Sequence, residues 1–197
     1  MKKKMGPSDL FFPTPAALVV SGEAPHFNII TIAWIGMVDT EKVGIGLLKN
    51  QYSLALMRRT EAFTVNIPTS RLFREVDYCG IVSGKDTDKW KATGLTPVPT
   101  EKTKIPIIQE CPLNIECELE REIELDDLVL VVGRFVETHV DEDKVEKEGG
   151  RLRIDCEKMD PLVYFAVGNE YWSVGEKQGD AFFSGLKIKE KGKEKKE

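Results

Sequence analysis

The sequence has few of the residues that build metal sites, and it lacks the long apolar runs that cross membranes. Its 197 residues include two His and four Cys, and no two Cys are spaced as Cys-x-x-Cys. A structural metal site is therefore not expected. No apolar run approaches the ~20 residues of a membrane-spanning helix. Pro7, Ser8, Asp9 and Pro13 also interrupt the segment where a signal peptide would need its apolar core. The sequence therefore predicts a cytoplasmic protein.

An excess of basic charge is also missing. The chain has 28 Lys and Arg against 33 Asp and Glu, a formal net charge of −5. Because nucleic-acid binding usually needs a basic surface, that class is not expected. The abundance of Lys and Glu is typical of proteins from hot environments. In such an organism a disulfide stays open as an alternative, although Cys117 lies in an alternating apolar set and is most simply a core residue.

The apolar pattern predicts short strands with a few short helices, in a single domain over residues 1–186. Strands are predicted at 16–23, 27–39, 42–48, 62–68, 114–125 and 128–140, and helices at 50–61, 69–79 and 85–93. Thr69 or Ser70 is expected to cap the second helix. Residues 141–158 are expected to be irregular, and 187–197 to form a disordered charged tail. This order suits a small β-barrel with helical crossovers.

The strand at 114–125 carries the most regular pattern, with a glutamate at every second position from Glu116 to Glu124. A period of two over this length predicts one face in water. A cation-binding face is the alternative, but a solvated sheet face is the simpler interpretation.

The segment "VDYCGIVSGKDTDKW", residues 76–90, has the composition of a phosphate-binding loop. It is not a nucleotide P-loop, since Asp86 follows Gly84-Lys85 and Cys79 stands where the first Gly is needed. A single phosphate requires less: the Ser83 hydroxyl, close approach at Gly84, and charge from Lys85 or Lys89. Amides at the start of the predicted helix 85–93 would add to the site. The alternative is an ordinary turn before a helix.

Two further segments carry polar groups at positions that suit a ligand. "NIITIAW" places Asn28, Thr31 and Trp34 among apolar residues, where buried polar ends need partners. A heterocycle with carbonyls and ring nitrogens would supply them, although Thr31 and Trp34 also simply suit a strand. In "LLKNQYS", Lys49 ends a strand and Ser53 enters the next helix, an arrangement that suits a phosphate.

In this order, these segments resemble the flavin reductase-like proteins with an FMN-binding split β-barrel, closest to the flavoredoxin type. The resemblance covers roughly residues 10–175. It is carried by "PHFNIITIAWIG", "LLKNQYSLALMRRTEAFTVNIP", "VDYCGIVSGKDTDKW" and "VGRFVE". It implies a mainly β fold with short helices, a split barrel of the FMN-binding type. It also implies a homodimer with FMN at the subunit interface.

The resemblance implies a cofactor site without a catalytic acid or base from the protein. The implied contacts with the ring and ribityl chain come from Asn28, Thr31, Ile32, Ala33 and Trp34; those with the phosphate come from Lys49, Asn50 and Ser53; and further contacts come from Ser83, Lys85, Lys89 and either Tyr164 or Phe165. Cys79 lies beside this site, and a buried thiol is a simpler interpretation than thiol redox chemistry.

One position departs from the family pattern. Many relatives carry Asp-His at the turn where this chain has Asp126-Asp127, so a His-assisted step is not expected. The function implied is hydride transfer from NADH or NADPH to FMN and then to an acceptor. The absence of a Rossmann fingerprint leaves the choice of nicotinamide open. The alternatives are an FMN electron carrier, whose glutamate face docks a redox protein, and a barrel that has lost its flavin chemistry.

Overall fold

The computed structural model describes residues 1–186 and Ile188, so the tail predicted at 187–197 lies, apart from Ile188, outside the described residues. Within these residues no helix has the length and apolar character needed to cross a membrane. The described chain forms fourteen strands: β1 Thr14–Pro15, β2 Ala17–Glu23, β3 His26–Ile32, β4 Ile35–Asp39, β5 Lys42–Leu48, β6 Ala62–Ile67, β7 Pro97–Val98, β8 Ile107–Ile108, β9 Leu113–Glu124, β10 Leu128–Val140, β11 Val145–Glu148, β12 Arg151–Ile154, β13 Leu162–Phe165 and β14 Glu170–Ser173. The helices of the same region are α1 Tyr52–Thr60, α2 Phe73–Ile81 and α3 Lys89–Thr93.

Seven of these strands form one antiparallel sheet in the order β3-β2-β6-β9-β10-β5-β4. A smaller sheet, β1-β13-β14, packs beside it, and β7-β8 and β11-β12 are two-stranded. The mainly β fold with short helices is thus confirmed. β3 and β4 are the outer strands of the large sheet within the described residues, so this sheet does not close on itself.

Strand β2 is apolar along most of its length because its two faces pack into two different cores. Ala17 and Val19 belong to one core, with Phe63 and Met57. Leu18 and Val20 belong to the other core, which α2 covers. A strand buried on both faces has no wet side, so its residues do not alternate.

A single glycine permits the tight packing of the first core. A Cβ at Gly133 of β10 would lie 2.3 Å from Cζ of the buried Phe63 ring. The sheet also has a register shift at Val132/Gly133. Because a side chain has no room here, the glycine lets β10 and Phe63 approach closely.

Several predicted elements differ from the structure, including the second helix, which runs over Phe73–Ile81 and not over 69–79. The strand predicted at 27–39 is two strands, β3 and β4, separated by a bend at Ala33-Trp34 that sends them to opposite edges of the sheet. The region 141–158, predicted to be irregular, contains the β11-β12 hairpin. The helix predicted at 85–93 begins only at Lys89, where the Asp88 side chain accepts a hydrogen bond from the Lys91 amide.

The capping prediction for the second helix is wrong. A short 3₁₀ turn precedes α2, and Thr69 at its start makes no capping hydrogen bond with its side chain. The Ser70 hydroxyl instead donates to Asp160 Oδ2 at 2.6 Å. Tertiary contact with the segment before β13 has therefore replaced local capping.

The solvated glutamate face is confirmed at four positions, and the prediction is wrong at the fifth. The four carboxylates each pair with a basic side chain of a neighbouring element: Glu118 with Arg134, Glu120 with Lys42, Glu122 with Arg58 and Glu124 with Lys49. Glu116 is 1% exposed. It accepts hydrogen bonds from Thr103 N at 2.8 Å and Thr103 Oγ1 at 2.9 Å, and His139 Nε2 lies 2.9 Å from its other oxygen.

These contacts make Glu116 a buried anchor for the loop that contains Thr103. Burial alone would raise the pKa of Glu116, but the hydrogen bonds from Thr103 and His139 outweigh it and lower the pKa. A carboxylate with a lowered folded pKa stabilises the protein at neutral pH, and this contribution is lost as the pH falls through that value.

We therefore expect Glu116→Gln to lower the free energy of unfolding by about 2–3 kcal/mol at pH 7, because the amide NH₂ would face donors. The difference from wild type should shrink as the pH falls toward 4. Urea unfolding of the wild type and the variant at pH 7 and pH 4 measures this difference in the free energy of unfolding. The control is Glu120→Gln, whose partly exposed pair with Lys42 should cost no more than about 1 kcal/mol. Equal losses in the two variants would contradict the anchoring role.

A candidate ligand-binding groove

Three adjoining cavities form a groove beside the bend between β3 and β4. We call them the central cavity (about 280 Å³), the bend cavity (about 540 Å³) and the turn cavity (about 520 Å³). The central cavity shares Gln51, Gly80 and Ile81 with the bend cavity. It joins the turn cavity across the loop that contains Gly84 and Lys85. Individually, the bend and turn cavities have the size of ordinary small-molecule sites.

Charge is divided sharply between the central and bend cavities, whereas the turn cavity carries both signs. Of the described residues that line the central cavity, the only charged ones are Lys85 and Lys89. Of those that line the bend cavity, the only charged ones are Asp9 and Asp77. The remainder of the bend cavity combines apolar and aromatic side chains, such as Trp34, with hydroxyl and amide groups. A ligand that fills both cavities should therefore have an anionic end and an uncharged end.

Most of the implied cofactor residues do line this groove. Thr31, Ile32, Ala33, Trp34 and Tyr164 line the bend cavity; Asn28, Asn50, Ser53, Cys79, Ser83, Lys85 and Lys89 line the central cavity. Trp34 is 57% exposed, so much of its ring is free at the bend. These residues come from distant parts of the chain, and the bend at Ala33-Trp34 turns their first segment into the groove.

Two of the implied residues lie outside the groove of this chain. Lys49 Nζ is 3.4 Å from Glu124 Oε2, on the glutamate face. Phe165 packs between Phe12 and Trp172, with ring centroids 5.2 and 5.5 Å away. The alternation of β13 explains this, since Tyr164 and Phe165 point to opposite faces of the small sheet.

Lys89 is a structural residue as well as a charge in the groove. It is 3% exposed, and its Nζ donates to Ile29 O and to Cys79 O, both at 2.7 Å. Burial lowers its pKa. Two of its three N–H groups are thus used to tie α3 to β3 and α2. The sequence predicted a ligand contact here and did not indicate this tie.

Asn28 and Thr31 find hydrogen-bond partners within the protein, so they do not need a heterocycle for this purpose. Asn28 Nδ2 donates to Ser53 Oγ at 2.8 Å, and Thr31 Oγ1 donates to Val76 O. Among the described residues no buried side-chain nitrogen or oxygen lacks a partner. The polar groups are therefore fixed in place before any ligand binds. Ser53 can still donate its own hydroxyl hydrogen.

The loop at 83–85 is held against Asn28. A Cβ on Gly84 would lie 1.8 Å from Asn28 Oδ1, so only glycine permits this approach. Ser83 Oγ accepts a hydrogen bond from Lys85 N at 3.2 Å, and Lys85 Nζ lies 5.9 Å from the centroid of the Tyr52 ring. Because α3 begins only at Lys89, the amides of 85–88 are loop amides and the predicted helix N-terminus is absent from the loop.

Several residues that line the bend cavity were not predicted from the sequence. Asp77 and Ile81 are four residues apart on α2, so they share a helix face. This four-residue spacing was the only feature of the local sequence that could have indicated a shared surface. Tyr171 and Asn169 come from β14 and the turn before it. Burial, followed by the nearby Asp77, raises the pKa of Tyr171 to about 12, so its hydroxyl stays protonated.

The chain matches the profile of a family described as "Flavin reductase like domain" over residues 9–173. It is 31% identical over 144 residues to an uncharacterised protein of Archaeoglobus fulgidus, covering 72% of this chain and 79% of that protein. Its structure is similar to the flavoredoxin of Desulfovibrio vulgaris (Miyazaki F), with a TM-score of 0.87, 34% identity and coverage of 94% and 100% of the two chains. For the flavoredoxin of Methanosarcina acetivorans the TM-score is 0.84 with 28% identity, covering 95% and 100%.

The Cys79 thiol in the wall of the central cavity is expected to be unreactive. Cys79 is buried, and burial raises its pKa to about 11. Cys111 and Cys117 are also buried, whereas Cys156 is exposed. We expect a disulfide-exchange reagent at pH 8 to modify only Cys156 rapidly in the folded protein. Cys156→Ser should abolish that fast phase, and Cys79→Ser should leave it unchanged. A fast phase that disappears in Cys79→Ser would show a reactive thiol in the groove.

Proposed function

The chain belongs to the flavin reductase-like family, and from this premise we propose that it is an FMN-binding oxidoreductase. In this proposal it takes hydride from NADH or NADPH onto the flavin and passes the electrons to an acceptor. The flavin-related redox function follows from the family. The identity of the cofactor as FMN, the nicotinamide donor and the site residues are the parts we propose.

The observation that carries the proposal is the division of charge between the central and bend cavities. FMN has a phosphate at one end, a polyhydroxylated chain in the middle and an uncharged planar ring at the other end. The central cavity offers two lysines with no carboxylate among its described lining residues. The bend cavity offers the exposed indole of Trp34, and no cation is among its described lining residues. This order of environments fits the order of groups in FMN.

The donors in the central cavity are suited to a phosphate. Lys85 supplies an exposed ammonium, and Lys89 retains one N–H beyond its two carbonyl bonds. The hydroxyls of Ser53 and Ser83 can donate as well. Charge-assisted hydrogen bonds of this kind are roughly twice as strong as neutral ones. These four residues are the ones we propose to hold the phosphate.

The bend cavity provides the surface for the ring. When bound there, the ring would supply the hydride-accepting and electron-passing chemistry. Trp34 and Tyr164 would pack against the ring, while Thr31, fixed by Val76 O, keeps the wall of the cavity in one conformation. Asp127 does not line any part of the groove described here. Proton transfer by Asp127 within one chain therefore has no part in the proposal.

An exposed apolar surface next to the bend cavity supports a homodimer. A shallow apolar depression of about 350 Å³ on β4, β5 and the β9-β10 turn shares Trp34 and Gly46 with the bend cavity. Met37 is 61% exposed there, and Val38 and Leu125 are exposed beside it. Large exposed apolar surfaces commonly mark interfaces. We propose that a second copy covers this surface, so that the FMN ring lies at the subunit interface.

The second candidate is an FMN electron carrier that exchanges electrons with redox proteins. The specific observation in its favour is the similarity to two flavoredoxin structures. The glutamate face gives it less support than the sequence suggested. Four of the five carboxylates are paired with basic side chains, and Glu116 is buried, which reduces the charge available to steer a basic partner.

The test is a titration of the protein with FMN, followed by anaerobic addition of NADH or NADPH. Wild type should bind FMN, and either donor should bleach its visible absorbance. Lys85→Met should weaken FMN binding about tenfold, because one charge-assisted phosphate contact is lost. The control Lys91→Met lies on α3 outside the groove and should bind as wild type does. Bleaching by dithionite alone would favour the carrier, and failure to bind FMN would contradict both candidates.

The dimer predicts that Met37→Glu separates the subunits, because a carboxylate would be buried in an apolar interface. Analytical ultracentrifugation should give twice the 22.2 kDa chain mass for wild type and the single-chain mass for the variant. The control Leu152→Glu changes another exposed apolar residue, on β12. A wild-type protein that sediments as a single chain would contradict the dimer.

A further inference from the structure

One wall of the bend cavity carries two carboxylates that contact with an uncharged FMN ring does not require. This wall, which we call the acidic wall, consists of Asp9, Asp77, Tyr164, Asn169 and Tyr171. It brings together the N-terminal segment, α2 and the small β1-β13-β14 sheet. The inference below rests on the proposed function, since it concerns the second molecule that enters the cavity beside the flavin.

The polar groups of the acidic wall are organised by their own contacts. Tyr164 Oη donates to Asn169 Oδ1 at 2.7 Å, and Tyr171 Oη donates to Asp77 Oδ1 at 3.5 Å. The two tyrosine rings lie 5.6 Å apart between centroids. Burial and Asp77 keep Tyr171 protonated. Both phenol hydrogens are thus used within the wall. The Asn169 NH₂ can donate to a ligand carbonyl, and the two phenol oxygens can accept from a ligand amide.

The charges on this wall have one sign. The bend cavity is lined by the carboxylates of Asp9 and Asp77 and by no Lys, Arg or His among its described residues. An anionic ligand would lie near two carboxylates in a partly enclosed site, where an effective dielectric constant well below that of water strengthens repulsion. An uncharged ligand meets no such penalty, and exposed apolar groups such as Trp34 and Ile81 favour its planar faces.

We propose that the bend cavity binds uncharged planar carbonyl compounds, of the quinone class, as the electron acceptors of this protein and rejects anionic ones. The reduced nicotinamide ring is itself uncharged and meets the same criterion. The phosphates of the dinucleotide must then stay outside the bend cavity. The two substrates would thus use one cavity in turn.

The electron balance of the overall reaction is complete without a further reactant. Reduced nicotinamide gives two electrons and one proton as hydride, and one proton comes from water. The quinone gains two electrons and two protons and leaves as the hydroquinone, while the nicotinamide leaves oxidised. No bond to the protein forms or breaks.

Binding to the FMN-loaded, oxidised protein tests the selectivity without relying on turnover. The probes are 2-naphthamide and 2-naphthoate, which have the same ring system and differ in charge, with equilibrium dialysis at pH 7 as the measurement. We expect the amide to bind about tenfold more tightly than the carboxylate, with about threefold from each wall carboxylate. Duroquinone should also yield one hydroquinone for each NADH consumed.

Three variants test whether the preference for the amide arises from the carboxylates of the acidic wall. Asp77→Asn should reduce the preference for the amide about threefold. Asp9→Asn, in a segment outside the strands, should do the same without altering the folded core. The control Asp143→Asn removes an exposed carboxylate that lines none of the groove cavities, and should leave the preference unchanged.

The contrary results are distinct from a failure of the proposed function. Equal or tighter binding of the carboxylate, binding of neither probe, or a preference unchanged in both wall variants would overturn the inference while FMN binding stands. A protein that takes up no FMN would instead refute the flavin site itself.

Discussion

The groove depends on the hydrogen bonds that the buried ammonium group of Lys89 donates. Lys89 is almost completely buried and donates to a carbonyl at the middle of β3 and to one near the end of α2. No carboxylate pairs with it within the described part of the chain. A buried cation held only by carbonyl dipoles is costly, and its lowered pKa reflects that cost. Its charge also has no counter-ion beside the central cavity, so this charge favours the binding of an anion there.

Lys89 supplies one side of the charge difference between the central and bend cavities. The loop of Ser83 to Lys85 lies against Asn28 because Gly84 has no side chain, and this brings a second ammonium to the same cavity. The bend at Ala33-Trp34 opens the adjoining cavity, where α2 contributes Asp77. The result is a positive cavity followed by a negative one. Such a site orients a ligand that has an anionic tail and a neutral ring, and it also sorts a second ligand by charge.

Periodicity was sufficient to predict β2, β5, β6, β10 and α1 closely, since their apolar patterns and turns agree with the tertiary fold. It could not reveal the bend at Ala33-Trp34, because Trp favours strands and Ala disfavours them only weakly. Alternation placed Glu116 on a wet face, and only the loop bearing Thr103 explains its burial. Motif spacing indicated that the loop at 83–85, Lys85 and Lys89 share one site, and they line one cavity, whereas Lys49 lies outside it. It indicated neither the structural tie of Lys89 nor the acidic wall. Those depend on contacts between segments distant in sequence.

The most direct test of the account is ³¹P NMR of FMN bound to the protein, recorded as a function of pH. A free phosphate monoester loses its second proton with a pKa of about 6. If the phosphate lies against Lys85 and Lys89, its resonance should shift on binding and remain that of the dianion from about pH 5.5 to 8. A bound phosphate whose resonance titrates near pH 6, as in free FMN, would contradict a phosphate site in the central cavity.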